Sequence, residues 1–339
     1  MTRKILILLT LALAPSLLGA QGAVKPPYDT FNSKAIHAFV QPSSLMEDVR
    51  FLSDSLCSGR ASSTIGGMEA AFWISDRMEK VGLKKMGPSY IKSFRLPDGN
   101  AGHNVIGMLP GSGKFSRDSY IIVGAHFDGL GIRGGRMYPC ADCNAAGVAS
   151  MLNIAEMFRM WTTIGHSMGA SIIFVAFDAK ELSMAGSKAV MEDIASGCLS
   201  DPVSGRTVTR QKIRLMVNLD QMGTTMEPIT RDRPDYLIML GNDKLPKDKR
   251  QVLRTCNLYT DDCSLDLGFD YYGSENFTRL FYRLSDQKPF ADAGIPAVFF
   301  TSGITGNTNK VTDTAETIDY DVLRRRIILI WHFVERLNR

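Results

Sequence analysis

The chain has 339 residues, 45% hydrophobic and 22% charged. That mix excludes a disordered or fibrous protein and is enough for a core of ordinary size without staples. Lys and Arg number 39 against 35 Asp and Glu, a net charge of +4, which gives no basic footprint for nucleic acid.

The chain opens with Arg3 and Lys4, then an apolar run from Ile5 to Leu18 broken by Pro15, then Gly19, Ala20 and Gly22. The run is too short and too broken to span a bilayer. With its positive start and small-residue end, it reads as a secretory signal over residues 1–20. Its removal lowers the net charge to +2 and leaves no membrane span. The mature chain is expected to begin near Gln21 or Ala23, in the periplasm or outside the cell. Residues 21–43 carry Pro26 and Pro27 with little periodicity and read as a lead-in.

From there the pattern sharpens. Residues 66–83 predict an amphipathic helix with Ala70, Ile74, Met78 and Val81 on one side. The apolar runs Tyr120–Gly124, Ser171–Ala176, Arg214–Leu219 and Ala297–Phe300 predict buried central strands. Helices are expected over 146–160 and 184–196, between those runs. A closing helix, Asp321–Leu337, carries Leu323, Ile327, Ile330, Val334 and Leu337 at helical spacing. Strands alternating with helices predict an α/β fold with a largely parallel sheet covered on both faces. Nothing in 44–339 looks like a linker, so that span reads as one domain.

The six cysteines are Cys57, Cys140, Cys143, Cys198, Cys256 and Cys263. An even count in an exported chain permits disulfides, with the pairing open. Cys256 and Cys263 are close enough in sequence to close a small loop. Cys140 and Cys143 form a C-x-x-C that suits redox chemistry, zinc or a disulfide.

In such a sheet, ligands bind beyond the carboxyl ends of the strands. The first strand is followed by Ala125-His126-Phe127-Asp128, the second by Asp178-Ala179-Lys180-Glu181, the third by Asp220. His, Glu and Asp are the residue types zinc accepts in hydrolytic sites. One such residue alone is more often a helix cap or a solvated loop. Three at three strand ends point to a metal-type site.

These segments resemble the zinc aminopeptidases typified by bacterial leucyl aminopeptidases, the twenty-eighth metallopeptidase family, which includes glutaminyl cyclases. GAHFDGLG at 124–131 is similar to that family's G-A-H-Y-D-x-L-G, and MYPCADCNAAGVASML at 137–152 to Y-x-G-A-D-D-N-A-S-G-V-A-x-x-L. FVAFDAKELSMAGS at 174–187 resembles F-x-A-F-x-x-E-E-x-G-L-x-G-S, and NLDQMG at 218–223 resembles N-L-D-M-V-G. SDQKPFADAGIPAVFF at 285–300 resembles S-D-H-x-P-F-x-x-A-G-I-P-A, and 307–318 stands where the family has D-Y-H-T-P-D-D-T-x-D-K-I. The resemblance implies a three-layer α/β zinc exopeptidase fold with a mixed, mostly parallel sheet. It implies two zinc ions that activate a shared water, one bridging carboxylate, and a Glu base that moves the proton.

Carried over by position, the resemblance puts metal ligands on His126, Glu181 and Asp220. It puts Asp128 beside His126 to orient the ring, and Asp142 as a second supporting carboxylate. The bridging carboxylate falls on Cys143, the base on Lys180, the last His ligand on Asn309, and the His of S-D-H on Gln287. A thiolate is a good zinc ligand but a poor bridge here, and an amide oxygen is a weak substitute for imidazole. The remaining histidines, His37, His103, His166 and His332, offer no obvious replacement. An ammonium at the base position cannot accept a proton, and it repels zinc by a few kcal/mol at about 4 Å and an effective dielectric of about 20. Zero or one zinc is therefore expected rather than two, with Lys180 salt-bridged among Glu181, Asp220 and Asp142.

Three functions follow in order. The first is an exported member of this family, impaired or inactive as a hydrolase, that binds peptides or protein N-termini. The second is an active aminopeptidase with one zinc on His126, Cys143 and Asp220, using Asp142 or Asp178 as base. The third is a glutaminyl cyclase.

Overall fold

A computed structural model describes residues 30–112, 118–224, 233, 235–261 and 263–339. The signal segment and the start of the lead-in lie outside them. Helices α1 (Thr30–His37), α2 (Pro42–Ser53) and α3 (Ile65–Val81) come first. Strands β1 (Lys84–Lys85), β2 (Ile91–Arg95), β3 (Ala101–Leu109) and β4 (Tyr120–His126) follow, then a ribbon of β5 (Ile132–Arg133) and β6 (Arg136–Met137). Next are α4 (Ala146–Thr163), β7 (Ser171–Phe177), α5 (Ala185–Ser196), β8 (Ile213–Leu219) and β9 (Tyr236–Leu240). The chain closes with α6 (Val252–Tyr259), β10 (Asp266–Gly268), α7 (Glu275–Tyr282), α8 (Gln287–Asp292), β11 (Ala297–Thr301) and α9 (Tyr320–Asn338).

Nine strands form one sheet in the order β1-β3-β7-β4-β8-β11-β9-β10, with β2 also on β3. The four central strands, β7, β4, β8 and β11, are parallel. Antiparallel pairs join β3 to β7 and β9 to β11. Every residue of β4 and β7 is buried, as expected of parallel strands covered on both faces. Strand β4 alternates strictly. Ile121, Val123 and Ala125 enter the core shared with α2, α3, α4 and α9, while Tyr120 and Ile122 face the core shared with α5 and α8.

Local chemistry sets the boundaries. Thr64 caps α3 by accepting from Gly67 N at 3.1 Å, and Gly82, at φ 81°, ends it. Pro42 opens α2, where its missing N–H costs nothing. Within the lead-in, residues 30–37 and the start of α2 are helical. Strand β3 went unread because Gly102, His103 and Asn104 interrupt its apolar pattern. Cys57, Cys140, Cys143 and Cys198 are thiols, and no disulfide joins them.

Candidate active site

Because β7, β4 and β8 are neighbours, their carboxyl ends lie side by side. They bring Lys180 and Glu181, His126, and Asp220 into one cluster. The fully buried His126 ring lies between two acids. Its Nδ1 is 3.3 Å from Asp128 Oδ1, and its Nε2 is 3.3 Å from Asp220 Oδ1. Asp128 also accepts from the backbone N–H groups of Lys180 and Glu181, each at 3.0 Å. One carboxylate therefore staples the end of β4 to the turn after β7. Asp220 accepts from Ser285 Oγ at 2.6 Å.

The Lys180 ammonium lies inside this group, with Nζ 3.0 Å from Glu181 Oε1 and 3.9 Å from Asp220 Oδ2. Burial opposes the Lys180 charge, but Asp220 and Glu181 outweigh it and raise its pKa. Burial likewise opposes the carboxylate of Asp220, and Lys180 and His126 outweigh it and hold the acid well below its ordinary range. At His126 burial disfavours the imidazolium, yet Asp220 raises the ring to about 10. A cation with a raised pKa is no proton acceptor at neutral pH.

The turn before α4 supplies the other side. Cys140 sits in the left-handed region at φ 53°. Cys143 donates to Asn309, Sγ to Oδ1 3.6 Å. The neighbouring Cys140 and burial push the Cys143 thiol well above its ordinary range. Asn144 reaches across the sheet, donating to Leu219 O at 2.9 Å and His126 O at 3.2 Å.

Asp142 does not join Lys180. Its carboxylate accepts from Gly223 N at 2.6 Å and from the Thr224 hydroxyl, and the cation acting on it is Arg326. The expected salt-bridged set is corrected to Lys180, Glu181 and Asp220, because the turn carrying Asp142 spends that side chain on the backbone after β8. Burial and Asp313 raise Asp142 to about 6. Asp178, the other candidate base, accepts from Ser62 Oγ at 2.7 Å and His103 N at 2.8 Å, at the β3 side.

Two residues escaped notice as site components. Ser285 anchors Asp220. Asp286 is fully buried, and neither of its oxygens has a hydrogen-bond partner. The Ser187 hydroxyl lies beside it but donates to Met184 O at 3.2 Å. Burial raises Asp286 to about 7, against an attraction from His126. Their signal in the sequence is the stretch SDQKPF at 285–290, which also carries Gln287. Gln287 is buried and accepts from Asn218 Nδ2 at 3.0 Å.

Among the described residues, no three His, Cys, Asp or Glu side chains converge as a group that could hold a metal ion. The bridging position offers a neutral thiol that contacts Asn309, and the Glu181 carboxylate pairs with an ammonium.

The model for Peptidase family M28 matches residues 104–334. The chain belongs to this family. Its fold is found in LapB from Legionella pneumophila, at TM-score 0.67 and 18% identity over 92% of this chain and 77% of that one. BSAP, a zinc aminopeptidase from Bacillus subtilis, gives a TM-score of 0.65 at 14% identity, over 88% of this chain and 95% of the other. Porphyromonas gingivalis glutaminyl cyclase gives 0.58 at 16%, over 88% and 99%. No curated protein sequence matches. This M28 chain therefore carries the family's zinc exopeptidase fold, with a mixed, mostly parallel sheet between helices. Among the described residues no helix is long and apolar enough to cross a membrane.

Proposed function

We propose that this M28 protein is an exported, catalytically disabled member of its family that binds peptide ends in the ancestral cleft. The observation that carries this reading is the Lys180 ammonium, 3.0 Å from Glu181 and 3.9 Å from Asp220. A family base must take a proton from water, and losing such a base costs a factor of roughly 10² to 10⁴ in rate. The ammonium also opposes a divalent ion at the carboxylates that would hold it. Cys143 and Asn309 stand at two further ligand positions and add to the effect.

Metal analysis of protein purified without added zinc tests the reading first. Zero or one zinc per chain is expected, and two tightly held zincs overturn it. Aminoacyl-amide hydrolysis is expected to be near background and indifferent to chelator. Chelator-sensitive turnover would favour the one-zinc aminopeptidase instead, and conversion of an N-terminal glutamine peptide the cyclase. Restoring Lys180→Glu, Cys143→Asp and Asn309→His together is expected to recover hydrolysis. Peptide binding is measured by calorimetry, comparing a free N-terminus with its acetylated form; the free form is expected to bind more tightly.

A further inference from the structure

We infer that the cavity between α7, α8 and the turn after β9 is a second binding site, for a small organic carboxylate with an apolar body and an N–H donor. The inference is independent of the proposed peptide binding.

The cavity lies away from the charged cluster. Strands β8 and β11 are parallel, so Asp220 stands at the far end of β11 from Pro296, which lines the cavity. Strand β11 has five residues, about 16 Å of extended chain. The cavity measures about 880 Å³, a size that suits a small ligand. Part of its lining is apolar, made by Tyr282, Ala291, Ile295 and Pro296. The Tyr282 hydroxyl donates to Ala297 O at 2.9 Å and fixes the ring. Gly241, at φ 85°, makes room for it, since an added Cβ would lie 2.8 Å from Tyr282 Cε2 and 2.5 Å from Ala297 O.

The rest of the lining carries five cations and three carboxylates. Each carboxylate is matched. Asp243 pairs with Lys244 at 2.6 Å, Glu275 with Arg279 at 3.7 Å, and Asp292 with Lys288. Arg250 is committed to the carbonyls of Leu245 and Asp243, at 3.0 and 2.6 Å. That leaves Arg283. Among the described residues no carboxylate or carbonyl pairs with its guanidinium. Its fork of donors can therefore turn to an incoming carboxylate without breaking an existing bond. Asn242 also lines the cavity, and its buried Oδ1 has no hydrogen-bond partner among the described residues. A ligand N–H would satisfy that acceptor. A carboxylate for Arg283, an N–H for Asn242 and an apolar body for the Tyr282 wall define the ligand class. Inorganic phosphate fits less well, because it leaves the apolar wall bare and brings extra charge toward three carboxylates.

The test uses the full mature chain and N-acetyl-L-phenylalanine as probe, measured by calorimetry. The blocked amine keeps the probe from any site that reads a free N-terminus. One molecule is expected to bind per chain. N-acetyl-L-phenylalaninamide, which lacks the charge, is expected to bind about tenfold more weakly or worse. Arg283→Gln is expected to weaken the probe by a similar factor while unfolding in urea at the parent's midpoint, because the side chain holds no partner in the fold. Absence of probe binding overturns the inference. So does equal affinity for the amide, or equal affinity in Arg283→Gln. Inorganic phosphate binding more tightly than the probe would overturn the ligand class.

Discussion

At the ends of β4, β7 and β8 the charged groups face one another, whereas in the turns around 139–145 and 307–313 they face the backbone. His126, Asp128, Lys180, Glu181 and Asp220 make a chain of ion pairs open at Glu181 to solvent. Asp313, in contrast, accepts from the backbone N–H groups of Asp142 and Cys143 at 2.9 and 3.2 Å. Arg60 and Arg326, both fully buried, donate to carbonyl oxygens. The difference separates two kinds of constraint. The strand ends hold a charge pattern that the Lys180 ammonium balances, whereas the turns spend their polar groups on the backbone scaffold.

The largest effect is expected where the scaffold is densest. Arg326 donates to Met222 O at 2.6 Å, Thr224 O at 2.9 Å and Tyr236 O at 2.7 Å. Arg326→Ala strands three carbonyls that water cannot easily reach, and each unmet buried group costs about 1–3 kcal/mol. A loss of about 3 kcal/mol or more is expected in urea unfolding. A loss below about 1 kcal/mol would mean the turns do not depend on this clamp.

A smaller loss is expected at the strand ends. Lys180→Met leaves the Glu181 and Asp220 carboxylates without their shared cation, at a cost of about 2 kcal/mol at pH 7. The same variant is expected to take up zinc more readily than its parent, since the repelling charge is gone. Unfolding with and without zinc separates the two effects. Equal zinc uptake by both chains would break the contrast drawn here, because the ammonium would then not be what excludes metal.

The same contrast explains what the sequence revealed. Buried parallel strands announce themselves by continuous apolar runs, so β4, β7, β8 and β11 were legible within two residues at either end. Their polar successors marked His126, Glu181 and Asp220 as neighbours. Strand β3 hid behind polar residues. The orientation of Asp142 was beyond reach, because it depends on Gly223 and Thr224 arriving from 81 and 82 residues away. Motif spacing could not distinguish a carboxylate aimed into the cleft from one aimed at the backbone.

Beneath the strand ends, Asp286 tests the electrostatic half by pH. Burial raises it from an ordinary 3.8 to about 7, so the fold favours its neutral form. Its contribution to stability is complete below about pH 4 and is lost as the pH rises through about 7. Asp286→Asn removes the ionisation. The variant is expected to be more stable than its parent at pH 8, by on the order of 1–2 kcal/mol, with the gap closing toward pH 4. Stability curves that run parallel across that range would remove Asp286 from the set of buried acids that oppose folding at neutral pH.

The mildest change lies at the start of α9, the helix that carries Arg326. Asp319 accepts from Val322 N at 3.0 Å, and its own N–H donates to Gly223 O at 3.0 Å, next to the Thr224 that binds Asp142. Asp319→Ala removes the cap and keeps the backbone bond. A cap of this kind contributes about 1 kcal/mol. The expected result is a loss of that size with Asp142, Thr224 and Arg326 undisturbed, because α9 buries Leu323, Ile327, Ile330 and Val334 on its own account. A much larger loss would mean that the helix start and the Asp142 turn move as one unit. The scaffold would then be a single cooperative device running from α9 to the cleft, rather than a set of separable clamps.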